Sequence, residues 1–280
     1  MKSQQNETNM QLQVKICSGD EFVDMEYSLE TLKGYSGAIT TIAGAIVEKK
    51  VPEKLNPADG VRAKLRGAYI GSYIQDFELA ITDKQKIIDF NEIGKEVFSE
   101  VIAYFLHVAC YLEPPQLSVN AENILKDLEG IEDEILEKIS PRVKQMNKIS
   151  KMNGYPVILS CISTVDGETK EIVKIDRITA ENLYNPKCDS DFSNIEVIIT
   201  RYNSFTGSGR LLVEGETKTT PFKFEGQYAK ISSGFKKKLA KNLGNNTAKE
   251  EDEWDYLSLV VKAIRNKSGK VIIYLIHRVE

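Results

Sequence analysis

The sequence predicts an α+β protein, with an N-terminal sheet packed against apolar helices and a small C-terminal β-barrel. Three observations carry this prediction. Residues 194–224 read as three short β-prone runs separated by two glycine-centred turns, Thr206-Gly207-Ser208-Gly209 and Glu214-Gly215-Glu216. Residues 29–46 and 97–109 repeat apolar side chains at the 3–4 spacing of helices. Charge is also unevenly spread. Residues 1–150 hold 17 Lys+Arg against 24 Asp+Glu, or −7, while residues 151–280 hold 20 against 17, or +3. Two units are therefore expected, 1–150 and 151–280, with any polyanionic partner on the second.

Taken in order, residues 1–10 read as a disordered polar leader, and Leu12, Val14 and Ile16 alternate with Gln13 and Lys15 as a half-buried strand. Ser28 is the expected N-cap of a helix reaching about Glu48. Its glycines, Gly34, Gly37 and Gly44, weaken it in isolation and predict close packing on a sheet. A loop with Pro52 and Pro57 follows. Next comes a strand in which Tyr73, Gln75, Phe77, Leu79 and Ile81 share one face, and Asp76 and Glu78 the wet one. Residues 93–112 form a strongly apolar helix whose wide arc marks it as core or as a contact with a second subunit. Pro114-Pro115 ends it. Asn120 caps a helix over residues 121–139 with Leu125, Leu128, Ile131 and Ile135 inward and Glu129, Glu132, Asp133 and Glu137 outward, before Ser140-Pro141 interrupts.

The second unit opens with a hairpin, residues 156–163 and 171–175, around Val165-Asp166-Gly167-Glu168. After a short helical turn and a polar loop comes the three-run meander. A helix follows over residues 228–243, which Ser232-Ser233-Gly234 divides, and then two strands joined by Asn266-Lys267-Ser268-Gly269. Strand-strand-strand-helix-strand-strand is the order of a five-stranded OB barrel, here over about residues 194–280; an SH3-like barrel lacks the helix. Such barrels bind single strands or oligosaccharides on the face of strands two and three. The candidates for a nucleic-acid site are Arg201, Tyr202, Arg210, Lys218 and Lys223, with Phe205 and Phe222 nearby, and Lys230, Lys236, Lys237, Lys238 and Lys241 of the helix. Basic groups beside aromatics neutralise phosphates and stack bases. The competing reading makes Phe222 and Phe224 core and the lysines an ordinary solvated face.

Catalytic motifs are missing: there is no GxSxG, Walker-type loop or HExxH, and the glycines of residues 206–209 join strand to strand rather than leading into a helix. No catalytic residue, cofactor or metal is assigned. The enzymatic alternative is a metal-dependent nuclease built on Asp76 and Glu78, whose spacing turns both carboxylates to one side of a strand. His107 and Cys110, three apart on a helix, read as core rather than ligands. Cys17, Cys110, Cys161 and Cys188 have no disulfide or zinc spacing, and the apolar run 101–112 is too short to span a bilayer. A soluble, reduced, cytoplasmic protein is the expectation.

Gly71-Ser72-Tyr73 leading into an alternating strand, and Asn203 through Thr206-Gly207-Ser208-Gly209-Arg210 followed by Pro221-Phe222, carry a resemblance. In these motifs the chain resembles a loosely defined group of uncharacterised bacterial proteins, some encoded near phage-defence genes. The resemblance spans most of the chain, with residues 113–153 more divergent, and implies a two-part architecture and a defence association but no reaction. The sequence thus reads as a non-catalytic binding or assembly subunit. It would contact single-stranded nucleic acid or a partner protein through the barrel, and self-associate or dock a partner through the N-terminal helices.

Overall fold

The structure is a computed structural model that describes residues 10–53, 60–69, 73–163, 167–184, 186–204, 207–226, 228–247 and 249–279. The polar leader before Met10, Pro57, Gly71-Ser72, Val165-Asp166 and Phe205-Thr206 lie outside the described residues. Helix and sheet are mixed, and the chain divides into two compact units, Met1–Ala180 and Glu181–Glu280.

In the first unit, β1 (Met10–Ile16), β2 (Val61–Tyr69), β3 (Tyr73–Ile81), β4 (Val157–Ile162) and β5 (Thr169–Ile175) form one antiparallel sheet of order β2-β3-β1-β4-β5. Alternation sets its two faces: Met10, Leu12, Val14 and Ile16 are fully buried, and the residues between them are half-exposed. The β4/β5 hairpin forms as the pattern predicts. It belongs here, however, because β4 pairs with β1 along its length, Ile16 opposite Val157 through Gln11 opposite Ile162. The division thus falls at residue 180 rather than near 150. The charge contrast survives the move: residues 1–180 hold 21 basic against 28 acidic residues, and residues 181–280 hold 16 against 13.

The helices of this unit are α1 (Met25–Glu48), α2 (Lys84–Ile93), α3 (Lys95–Ala109), α4 (Val119–Leu128), α5 (Glu132–Met146) and α6 (Lys148–Asn153); α7 (Arg177–Tyr184) crosses the division. Asp24, not Ser28, caps α1, accepting from Tyr27 N at 2.9 Å, and the Ser28 hydroxyl donates to Asp24 O. Two glycines of α1, Gly34 and Gly37, meet a helix rather than the sheet, and Gly44 faces Pro52. A Cβ at Gly34 would stand 2.3 Å from Met146 N and 2.7 Å from Arg142 O, both backbone atoms of α5. At Gly37 it would meet the Arg142 side chain. The Thr31 hydroxyl accepts from Ile149 N at 3.1 Å, which holds α6 on the same face.

The helix expected over residues 121–139 is divided into α4 and α5, and α5 runs on past Ser140-Pro141; α2, which precedes the helix expected over 93–112, has no counterpart in the sequence expectation. Gly94, at φ 84°, separates α2 from α3. Pro141 sits inside α5 rather than ending it, since a proline removes one amide and the helix is fixed by packing on α1. The outward reading of Glu132 is corrected: it is 7% exposed and accepts the Tyr104 hydroxyl at 2.7 Å. The apolar arc of α3 is filled within the unit, with Phe98, Val101, Ile102 and Phe105 fully buried, so it needs no second subunit. His107 is a hydrogen-bonded packing residue, with ring nitrogens 2.7 Å from Glu113 O and 3.0 Å from Ile172 O. Burial pushes the Cys110 thiol up to about 12, partly offset by Asn147, which rules it out as a ready thiolate.

The second unit holds β6 (Lys187–Cys188), β7 (Ser193–Tyr202), β8 (Gly209–Val213), β9 (Thr220–Phe224), α8 (Ser233–Asn246), β10 (Leu257–Arg265) and β11 (Val271–Val279). Five strands close into a barrel in the order β7-β8-β9-β11-β10 and back to β7. Every pairing is antiparallel except β9 with β11. That one parallel pair is possible because α8 carries the chain across the barrel end between β9 and β10. Val197, Ile199, Leu211, Phe222, Ile276 and Leu239 of α8 fill the interior.

Substituting Gly34 with alanine is expected to destabilise the protein by about 1–3 kcal/mol, since the backbone of α5 cannot move away without opening the core. Gly244→Ala on α8, where a Cβ meets nothing within 4 Å, should instead stabilise by about 0.4–1 kcal/mol. Urea melts of both variants provide the comparison.

Candidate nucleic-acid interface

Of the candidate residues Arg210 is buried, Arg201, Tyr202 and Lys236 are half-buried, and the other lysines are exposed. Arg201 and Arg210 face one another across β7 and β8. Arg210 is 6% exposed and spends Nε and Nη2 on Thr219, at 2.7 Å to Oγ1 and 2.8 Å to the carbonyl. Burial, and then the nearby Arg210 charge, push Arg201 down to about 10. Tyr202 lies parallel to Phe222 at 6.4 Å, and burial first, then its bond to Tyr228, raise its phenol well above the ordinary tyrosine range. Arg210 is thus committed to the barrel wall, while Arg201 and Tyr202 are half-buried in it. Phe222 and Phe224 are core, as the competing reading has it.

Lys218, Lys223, Lys230, Lys237, Lys238 and Lys241 are exposed. Lys236 is half-buried, its ammonium 3.9 Å from the centre of the Tyr228 ring. Such a contact is worth about 0.5–1 kcal/mol near a surface. Tyr228 also closes the turn between β7 and β8. Its hydroxyl donates to Ser204 O at 2.9 Å and receives the Tyr202 hydroxyl at 2.6 Å. The glycines of that turn answer to this ring and its neighbours. A Cβ at Gly207, already at φ +77°, would stand 2.1 Å from the Tyr228 ring, and one at Gly209 2.2 Å from Arg201 O.

A second grouping, absent from the sequence reading, occupies the outer face of β9, β10 and β11. Lys223, Leu275 and Lys262 fall on one row across these strands. Beside them Phe192, an exposed aromatic, packs its ring 4.4 Å from that of His277, with Lys262 Nζ 4.5 Å above it. Glu225 receives His277 Nδ1 at 3.0 Å and pairs with Lys262 Nζ at 3.4 Å. The His277 hydrogen bond and the Lys262 charge hold its carboxyl below the usual range. Only Phe192, a lone large aromatic in an otherwise polar loop, offered a sequence signal. His277 arrives because β11 carries a bulge opposite Val260/Val261.

The helix that carries most of the lysines is fixed by amides. Beyond the start of β10 the edge of β7 has no strand partner, and there Asn242 Oδ1 accepts Ile199 N at 2.8 Å. Asn242 Nδ2 donates to Asp255 O at 2.7 Å, and Asn246 exchanges two hydrogen bonds with the Asp255 backbone, at 2.8 and 3.0 Å. Both asparagines are 7% exposed. The far hairpin is fixed similarly: Asn266 Oδ1 accepts from Ser268 N and Lys270 N, and its Nδ2 donates to Asn182.

On the first unit, Asp76 receives Gln13 Nε2 at 2.9 Å. Glu78 is 7% exposed rather than on a wet face, and pairs with Arg66 Nε at 3.1 Å. Among the described residues no group of three His, Cys, Asp or Glu side chains could hold a metal ion, and no helix is long and apolar enough to cross a membrane. Comparison of the chain with models of protein families, with curated proteins and with solved structures finds no match.

Asn242→Leu should cost about 1–3 kcal/mol in a denaturant melt, because the Ile199 amide loses its acceptor while Asp255 keeps Asn246. His277→Ala should raise the Glu225 titration midpoint, read by carboxyl-carbon NMR. The sign follows from linkage: a depressed folded value stabilises above the ordinary carboxylate range, and that contribution is lost as pH falls through the folded value. Exposure and salt keep the effect small.

Proposed function

We propose that the second unit is an OB-type barrel and that the chain is a non-catalytic subunit binding single-stranded nucleic acid through it. The observation that carries this reading is the pairing order of the five strands, with the third and fifth parallel and a helix between the third and fourth. Barrels of this kind hold oligonucleotides on the face of strands two and three, flanked by the first and last hairpin loops. Here those strands are β8 and β9, and both flanking loops are pinned by side chains, Tyr228 on one and Asn266 on the other. Preorganised loops reduce the entropy lost on binding.

The electrostatics favour the same partner. Residues 181–280 are net positive although the whole chain is −4. Lys218 in the β8–β9 turn and Lys223 on β9 supply phosphate contacts on that face, and beyond β9 the surface continues over β11 and β10 to Phe192, a ring on which a base can stack. The lysines of α8 add a second basic surface. Arg201, Arg210 and Tyr202 act as support for the wall behind these residues. The defence association implied by the resemblance would give such a subunit a foreign single strand as ligand.

Fluorescence anisotropy with labelled oligo-dT and oligo-U tests this reading. Binding should weaken steeply between about 50 and 200 mM salt, and each lost phosphate contact should flatten the log–log slope by about 0.7. Lys223→Glu with Phe192→Ala should reduce affinity if the strand face is used; Lys237→Glu with Lys241→Glu should do so if α8 is. Lack of binding at low salt, or binding untouched by both pairs, would sink the proposal.

A further inference from the structure

The N-terminal half of α1 stands away from the sheet of the first unit and leaves a cavity of about 420 Å³ between them. Its cause is local. The glycine face of α1 is committed to α5, and the sheet ends at the edge strand β2, which offers only the small Ala63 and then Leu65. Leu65 is 70% exposed, and across the cavity Leu29 of α1 is 50% exposed. These two side chains put apolar surface on both sides of one opening, which a ligand entering it would cover. Val14 and Phe77 form the floor.

The floor carries one amide among its apolar groups. Gln75 lies on the same face of β3 as Phe77, lines the cavity and is only 6% exposed. Among the described residues its side-chain amide makes no hydrogen bond. Of the side chains that line the cavity, it is the Tyr35 hydroxyl that is sealed from water with no partner among the described residues; the Gln75 amide stays open to the cavity and can bond a group that arrives with a ligand. On α1, Ser36 and the exposed Lys33, one turn apart, line the same cavity and supply a hydroxyl and a positive charge.

We propose that this cavity binds a small amphipathic monocarboxylate, its apolar part between Leu29, Leu65 and Phe77 and its carboxylate bonded to Gln75 and facing Lys33. The volume falls in the range of about 300–1,000 Å³ typical of small-molecule sites, and the lining is mainly apolar with few polar groups, as such sites are. This site is on the first unit, so the inference stands or falls apart from the reading of the barrel.

Isothermal titration of the full chain with sodium decanoate is the test. Saturable binding near one equivalent is expected. Leu65→Arg should weaken it by about tenfold, the effect of losing one buried leucine contact, and because Leu65 is largely exposed the fold should survive, as circular dichroism can verify. Ala63→Trp should abolish binding by filling the cavity. Gln75→Leu should weaken decanoate more than decanol, which separates recognition of the carboxylate from burial of the chain. The proposal is overturned by the lack of saturable binding, by non-stoichiometric surfactant-like binding, by an unchanged affinity in Leu65→Arg, or by equal losses for acid and alcohol in Gln75→Leu.

Discussion

Ile199 N–H lies on an edge of β7 that β10 does not reach, inside a barrel that must leave no buried amide unpaired. Asn242 meets it from α8, and the same side chain continues to Asp255, just before β10 begins. One amide group thus joins the helix that crosses the barrel end to the first barrel strand, β7, and to the segment that follows the helix. Closure of the barrel depends on that crossing, because only a chain carried over the end can bring β11 parallel to β9. Leu239 anchors the helix by burial, but burial has no direction; the asparagines fix its rotation and depth. The lysines on its outer side are displayed as a result.

Much of the architecture could be read from local pattern. The alternation of Leu12, Val14 and Ile16 marks a half-buried strand, and the glycine turns separate β7, β8 and β9 where the sequence places them. The unread parts depend on partners distant in the chain. No local signal says that β4 pairs with β1 rather than with a neighbour in the barrel unit, and that pairing alone moves the division between units. Pro141 looks like a stop signal, yet packing on α1 outweighs one lost amide. Gly34 announces a close approach without naming the partner.

The candidate site was legible in its lysines and not in its arginines or asparagines. Lys237 and Lys241 are exposed because a lysine-rich helix face has no cheaper place than water. Arg201 and Arg210 carry the same charge but sit opposite one another in the β7/β8 ladder, where Arg210 bonds Thr219. Composition cannot distinguish these cases, since the difference lies in which strand stands opposite. Asn242 and Asn246 look like ordinary surface polarity in the helix sequence, and the Phe192 platform requires a bulge in β11 to bring His277 beside it.

The ring of Tyr228 against Gly207 also has a dynamic consequence. The same side chain holds Ser204, Tyr202 and Lys236, so the turn after β7 and the first turn of α8 share one fastening. Opening the turn moves the ring and so removes the Lys236 contact, worth about 0.5–1 kcal/mol. A ligand that displaced the ring would therefore free the Ser204 turn first, while Asn242 and Asn246 continue to hold α8 in place.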